Sequence, residues 1–227
     1  MRMMVVFEKG AALRHIGHLD LMRTMQRALR RSGLPIKYSN GFNPHIRLSF
    51  AAPLSVGVIG ERELMEVPLE DGVTAESFIA GMNAVLPKCL QIRFCRSVED
   101  EFPALMSLVA GADYRIVIRK TPDGTKTAER FGDFMALESY VASRRTKSGE
   151  NPCDIRPFVL GGACTENENA FEITLHTAAL KEGMLKPSLW LDSLREFAGC
   201  EAFPHEIYRS SILARRADGV LVPMEEL

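Results

Sequence analysis

Apolar and polar positions follow two different periods along the chain, and these periods appear in a repeated order. Residues 2–9, RMMVVFEK, form a short apolar run with β-branched residues, which predicts a first strand. Residues 17–33 place apolar positions three and four apart, which predicts a helix that Gly33 ends. The pattern then predicts short strands at PIKYS, IRLSF and ELMEVPLE, a helix at TAESFIAGMNAVLP and a strand at LQIRFCRSV.

The same order of patterns begins again after residue 112. A strand DYRIVIRK is followed by a predicted helix over residues 128–144, a hairpin of CDIRPFVLGG and AFEITLHTA, a helix KPSLWLDSLREFAG and a strand HEIYRSSILARR. Each half therefore has the β-α-β-β-α-β order of a ferredoxin-like unit. The sequence predicts an α+β protein of two ferredoxin-like (βαββαβ) units with antiparallel sheets, in residues 1–104 and 105–227.

The total charge of the chain is nearly balanced, but the charges are unevenly distributed. The 227 residues carry a net charge of −1 at pH 7. Residues 1–50 contain nine basic and two acidic residues, a net charge of +7, whereas the remaining 177 residues contain 19 basic and 27 acidic residues. This asymmetry predicts one cationic face that binds an anion. The alternative is that the basic and acidic parts of the chain attract each other.

Composition argues against several classes of protein. No apolar run approaches the roughly 20 residues that a membrane-spanning helix requires, and the apolar part of the N-terminal segment is too short for a signal peptide. We therefore expect a cytoplasmic protein with no membrane partner.

The five cysteines contain no CxxC pair, which argues against a zinc or iron–sulfur site. We expect reduced structural thiols, no metal and no cofactor.

The first predicted helix carries a stripe of arginines. At about 100° per residue, its apolar residues share one face. The opposite face carries Arg23, Arg27, Arg30 and Arg31. Because arginine presents a planar fork of donors that matches phosphate oxygens, the stripe predicts a phosphate-binding surface, and the alternative is a solvated helix face. Arg14, His15 and His18 lie at the start of this helix, where backbone amides also attract anions.

The segment YSNGFNPH, residues 38–45, contains more aromatic and hydrogen-bonding side chains than a plain turn requires. Gly41 allows a sharp bend or the close approach of a ligand. Phe42 or Tyr38 would stack on an unpaired base if exposed, and the alternative is that Phe42 packs into the core. The candidate binding residues in this segment and its flanks are Lys37, Ser39, Asn40, Gly41, Phe42, Asn43, His45 and Arg47.

Two stretches of the chain match a known pattern. The first is HIGHLDLMRTMQRALRRSGLPIKYSNGFNPHIRLSFAAPLSVG, and the second contains Asp154, Arg156 and Pro157 as an Asp-x-Arg-Pro element. Together they resemble the radical-SAM-linked protein family, with the departure that Gly17 stands where the family usually has Ser. The chain lacks a CxxxCxxC motif. The resemblance therefore implies a partner module for a radical SAM protein rather than the radical enzyme itself.

The sequence is consistent with three functions. The arginine helix and the loop predict an accessory module that binds RNA, such as tRNA or rRNA, or a phosphate ligand for a radical SAM enzyme in RNA modification. One alternative is a protein-interaction scaffold for that partner. The other is a metal-independent ribonuclease in which two of His15, His18 and His45 act as general base and general acid. The sequence assigns no catalytic residue.

Overall fold

Strands predominate in both of the units into which the chain divides. The computed structural model describes residues 1–146 and 149–227. One unit contains Met1–Val109 and Ser211–Leu227, and the other contains Ala110–Ser210. We refer to them as the first and the second unit.

The first unit alternates strands with helices. Its main elements are β1 (Arg2–Lys9), α1 (His18–Arg31), β2 (Ser49–Phe50), β3 (Val58–Pro68), α2 (Ala75–Val85), β4 (Leu90–Val98) and α3 (Leu105–Leu108). Strand β1 is antiparallel to both β3 and β4, and β2 is antiparallel to β3. The resulting strand order is β4-β1-β3-β2. Of the predicted strand PIKYS, only isolated bridges at Ile36 and Tyr38 are present.

The core of the first unit joins the strands to helices α1 and α2. Helix α1 buries Leu21, Met25, Ala28 and Leu29, and these residues belong to the same cluster as the strand residues Met3, Val5 and Phe7. Each of these Leu, Met, Val and Phe side chains contributes roughly 1.5–3 kcal/mol when it is fully buried, and Ala28 contributes less. The apolar face that the sequence predicts for residues 17–33 is therefore confirmed, and it fixes which side of α1 faces solvent.

The second unit has a comparable alternation with more interruptions. Its elements, including those that cross its borders, are β5 (Val109–Arg119), α4 (Pro122–Glu129), α5 (Phe131–Met135), β6 (Val141–Thr146), β7 (Gly149–Asp154), β8 (Val159–Glu166), β9 (Ala170–Leu180), β10 (Gly183–Met184), α6 (Pro187–Phe197) and β11 (His205–Arg215). Strand β9 is antiparallel to β5, β8 and β10, and β5 lies between β9 and β11. Strands β6 and β7 pair with each other, and β12 (Leu221–Pro223) pairs with the end of β11.

Two predicted elements of the second unit are wrong. Residues 128–144 form no single helix, because α4 ends at Glu129, α5 is a short helix, and residues 141–146 pair as a strand with β7. Residues 153–162 form no single strand, since a 3₁₀ turn at Arg156–Phe158 separates β7 from β8. Pro157 lies in that turn and has no N–H to donate to a strand ladder, which explains the interruption.

Candidate nucleic-acid interface

The segment between α1 and β2 folds back on itself as a narrow ribbon, which we define as residues 35–47. An antiparallel bridge joins Tyr38 to Ile46, and a second bridge joins Ile36 to Leu69 just after β3. The tip of the ribbon, residues 40–44, is exposed throughout. The ribbon is thus anchored at its base and open to solvent at its tip.

Ser39 and His45 close the ribbon below its tip. The Ser39 N–H donates to the His45 carbonyl at 2.9 Å, and Ser39 Oγ accepts the His45 N–H at 3.0 Å. Ser39 Oγ also lies 2.7 Å from His45 Nδ1. Whichever of the two atoms carries the shared proton, Nε2 takes no part in this contact. The imidazole is held through one nitrogen and presents the other to solvent.

The tip of the ribbon presents an aromatic ring to solvent. Phe42 is wholly exposed, so the alternative in which it packs into the core is wrong. Gly41 precedes it with φ +120°, a region that residues with a side chain rarely adopt. Asn40 and Asn43 are exposed on either side. The bend at Gly41 therefore helps to hold an apolar ring where no other part of the first unit covers it.

The four arginines of α1 have different surroundings. Arg23 forms an exposed ion pair with Asp20 at 3.0 Å, and such pairs contribute little. The Arg31 guanidinium donates to the Val85 carbonyl at the end of α2, at 2.7 Å. Arg27 and Arg30 are exposed, and their side chains have no hydrogen-bond or ion-pair partner within the described ranges. Two of the four are therefore free to bind an anion, and Arg31 holds two helices together.

Helix geometry places these arginines on different sides of α1. Gln26 lies three residues after Arg23 and four before Arg30, so all three share one side of the helix. The Gln26 amide donates to the Ile46 carbonyl at 3.3 Å, and this contact turns that side toward the ribbon. Arg31 lies on the side that faces α2. The structure thus brings Arg23 and Arg30 toward the ribbon and does not bring Arg31 there.

The two histidines at the start of α1 are already in contact with neighbours. The Arg14 Nε–H donates to His15 Nε2 at 3.1 Å. The half-buried His18 ring packs edge-on against Phe50, with ring centres 5.3 Å apart. His15 remains exposed, whereas one face of His18 is held by the core. These contacts make structural roles for both histidines the simplest explanation of their positions.

Two basic residues of the N-terminal segment do not belong to the basic surface. Lys9 is buried, and its Nζ donates to the carbonyls of Arg14 and Ile16, at 3.4 and 3.3 Å. Arg2 lies 3.5 Å from the Glu66 carboxylate, and both side chains are mostly buried. Lys9 therefore holds the turn that leads into α1. The net charge of residues 1–50 overstates the positive charge that reaches the surface.

A cleft of about 410 Å³ lies beside the base of the ribbon. Met22 of α1 and Leu48 provide part of its apolar lining. Its polar lining comes from Arg2, Gln26, His45, Arg47, Ser49 and Glu66. Sequence reasoning included only His45 and Arg47 among these, because the others lie on separate elements that only the fold brings together.

A comparison with known protein families gives a match that covers the features described above. A family model described as "Uncharacterized protein conserved in bacteria (DUF2344)" matches residues 2–187. The chain belongs to this family. No curated protein matches the chain. The match spans α1, the ribbon and the cleft of the DUF2344 chain, but its description names neither an activity nor a partner, and the link to a radical SAM protein stays a prediction.

The second motif of the DUF2344 chain forms a turn stabilised by its own side chains. Asp154 Oδ1 accepts the N–H groups of Tyr140 and Arg156 at 2.9 and 3.0 Å. The Tyr140 N–H in particular holds the pKa of Asp154 below its usual value. Arg156 donates to the carbonyls of Leu137 and Val159 at 3.0 and 2.8 Å. The predicted strand CDIRPFVLGG would place Asp154 and Arg156 on one side of the strand, but β7 ends at Asp154.

No group of three or more His, Cys, Asp or Glu side chains among the described residues is arranged to hold a metal ion. Burial raises the pKa of the Cys95 thiol to about 11, which keeps that thiol protonated near neutral pH. No helix within residues 1–146 and 149–227 has both the length and the apolar character needed to cross a membrane.

Proposed function

We propose that this DUF2344 chain is an RNA-binding accessory module that presents RNA to a radical SAM enzyme in RNA modification. The observation that carries the proposal is the wholly exposed Phe42 on a ribbon that also carries Arg47 and lies on the Arg30 side of α1, two exposed guanidinium groups with no acidic partner in the described ranges. An exposed aromatic ring and unpaired guanidinium groups are the two components that single-stranded RNA requires, a surface for a base and a charge for a phosphate.

The cationic part of the surface accounts for affinity. Arg27 and Arg30 on α1 and Lys37 and Arg47 on the ribbon have side chains without an ion-pair partner in the described chain. Phosphates neutralised by such groups release condensed counterions, so that affinity falls as salt rises. RNA binding by this surface is therefore expected to depend steeply on salt concentration.

The tip of the ribbon accounts for a preference among RNA structures. Phe42 can stack only on a base whose face is uncovered, as in loops, bulges and single strands. The exposed Asn40 and Asn43 add donors and acceptors for ribose and base edges on either side of the ring. We therefore propose unpaired regions of tRNA or rRNA as the target of the ribbon.

The proposed partner comes from the resemblance of the two motifs to the radical-SAM-linked family. The chain has no CxxxCxxC motif that would hold the iron–sulfur cluster of such an enzyme. A module of this kind would position the substrate while the partner supplies the radical chemistry.

We also propose that each unit has the ferredoxin-like fold. The strand orders β4-β1-β3-β2 in the first unit and β11-β5-β9-β8 in the second support this proposal. In both orders, the first strand lies between the fourth and the third. Helices lie in the connection from the first strand to the second and in the connection from the third strand to the fourth.

RNA binding is tested by titrating fluorescent single-stranded RNA at several salt concentrations. Substitution of Arg27 and Arg30 by Ala preserves helix propensity and removes two phosphate contacts. We expect the affinity to fall about tenfold and the slope of log affinity against log salt to decrease by about 1.4. A control with Lys88→Ala and Lys181→Ala removes the same charge at exposed positions that belong to neither α1 nor the ribbon.

Two results would contradict the proposal. Affinity that does not change with salt would exclude phosphate neutralisation as its source. Equal losses in the Arg27/Arg30 variant and the Lys88/Lys181 variant would show that only net charge matters and that α1 has no special part.

A protein-binding scaffold is the second candidate, because a wholly exposed Phe42 also suits an apolar pocket on a protein. In that case Phe42→Ala would disrupt a nuclease-treated complex with the radical SAM partner. The Arg27→Ala, Arg30→Ala variant would leave that complex intact.

A further inference from the structure

The cleft beside the ribbon has the size and the lining of a small-ligand site. Its volume of about 410 Å³ lies within the range of pockets that hold small molecules. Its lining combines apolar side chains such as Met22 and Leu48 with polar groups. A lone phosphate would leave most of this volume and all of the apolar lining unused.

The inner end of the cleft contains a fixed set of hydrogen-bonding groups. Ser49 Oγ donates to Glu66 Oε1 at 2.8 Å, and Arg2 lies 3.5 Å from Glu66 Oε2. The side chains of Arg2 and Glu66 are 16% and 12% exposed, so both are held largely out of water. The buried Arg2 Nε has no acceptor among the described residues. Because Arg2 also donates to the carbonyls of Glu99 and Phe102, the Glu66 carboxylate is the group at this end that suits a donor on the hydrogen-bonding edge of a nucleobase.

The outer edge of the cleft carries an imidazole and a guanidinium group. His45 and Arg47 line it and are exposed. The contact between Ser39 and His45 Nδ1 leaves His45 Nε2 available to a ligand. Neither side chain has a carboxylate partner in the described chain. An exposed guanidinium beside an imidazole nitrogen suits a phosphate group.

We infer that the cleft holds one unpaired nucleotide of the bound RNA. Its base lies between the apolar walls with its edge toward Glu66, and its phosphate lies at His45 and Arg47. The inference rests on the proposed RNA-binding function and specifies the RNA further. A base in a duplex cannot place its pairing edge in a pocket, so the target must have at least one base turned out of its stack.

The test compares two RNAs and two cleft variants. One RNA is a hairpin that carries 2-aminopurine at an unpaired loop position, and the other is a fully paired duplex of the same length. Glu66→Gln keeps the shape of the side chain and changes its acceptors, and Met22→Trp fills the cleft. Glu70→Gln and Met184→Trp are the matched controls, since neither residue lines the cleft. Thermal unfolding verifies that each variant is folded.

For the natural sequence we expect the hairpin to bind about fivefold or more tightly than the duplex, with a change in 2-aminopurine fluorescence. Glu66→Gln and Met22→Trp should reduce this preference and the fluorescence change while salt-dependent binding to both RNAs persists. If either folded variant keeps the full preference, the cleft inference is overturned and the proposed function stands. If no RNA binds at any salt concentration, both are overturned.

Discussion

The ribbon of the first unit and the turn at Asp154–Pro157 of the second unit are both closed by one side-chain oxygen. In the ribbon, Ser39 Oγ accepts the N–H of His45. In the turn, Asp154 Oδ1 accepts the N–H groups of Tyr140 and Arg156. Beyond these contacts the two regions differ. The side chains of the ribbon tip, residues 40–44, reach solvent, whereas the Arg156 guanidinium donates to two backbone carbonyls.

This difference distinguishes side chains that are available to a ligand from side chains that stabilise the fold. A guanidinium group that donates to carbonyls, as in Arg156, has little capacity left for a ligand. An exposed guanidinium such as that of Arg47 contributes little to stability and retains its capacity to bind. Changes in the turn should therefore affect folding, and changes in the ribbon should affect binding.

The largest expected effect on stability is that of Asp154→Ala. Removal of the carboxylate leaves two backbone N–H groups without an acceptor, which costs about 1–3 kcal/mol. Chemical denaturation of the two proteins measures the loss. Asp154→Asn retains an acceptor oxygen and should cost less. RNA affinity should be unchanged in both variants, and an RNA-binding defect in folded Asp154→Asn would remove the distinction between turn and ribbon.

Gly41→Ala should have a smaller effect on stability. At φ +120° a Cβ introduces backbone strain of about 1 kcal/mol, although no heavy atom lies within 4 Å of the added Cβ. Because the tip is exposed, the strain can be relieved by rearrangement of the tip, which moves Phe42. We expect RNA affinity to fall more than stability does. Gly17→Ala, at an ordinary φ of −76°, is the control. Equal effects of the two substitutions on RNA affinity would contradict the role of the bend.

The smallest expected effect is a dependence of stability on pH in the acid range. The pKa of Asp154 is lowered by its backbone hydrogen bonds, so its contribution is complete above the unfolded value near 3.8. The contribution is lost as pH falls through the lower pKa of the folded protein. Because the carboxylate is only part-buried, we expect less than about 1 kcal/mol. The difference in unfolding free energy between the natural sequence and Asp154→Asn should shrink at low pH, and a constant difference would exclude this linkage.

Several features of the fold followed from the sequence, because local patterns determine them. The spacing of Leu21, Met25 and Leu29 predicted both α1 and its buried face. The helix over residues 128–144 was predicted wrongly, since its apolar spacing suited a helix while β6 gained a partner strand from outside that window. Local periodicity carries no information about such a partner.

The sequence indicated the residue types of the candidate interface but not how these residues are arranged in space. The ribbon residues stood out because a turn does not require Phe42 or His45. The cleft could not be predicted, since Arg2, Gln26 and Glu66 meet only after β1, α1 and β3 have packed. The sequence also could not predict that Arg27 and Arg31 have different environments, because the contact of Arg31 with α2 depends on tertiary structure.

The hydrogen bond from the Gln26 amide to the Ile46 carbonyl joins α1 to the ribbon at the wall of the cleft. A molecule that pushes the ribbon outward must stretch this link or carry the helix with it. Occupancy of the cleft and capture of phosphates by α1 would then alter each other's strength by the same factor, as thermodynamic reciprocity requires.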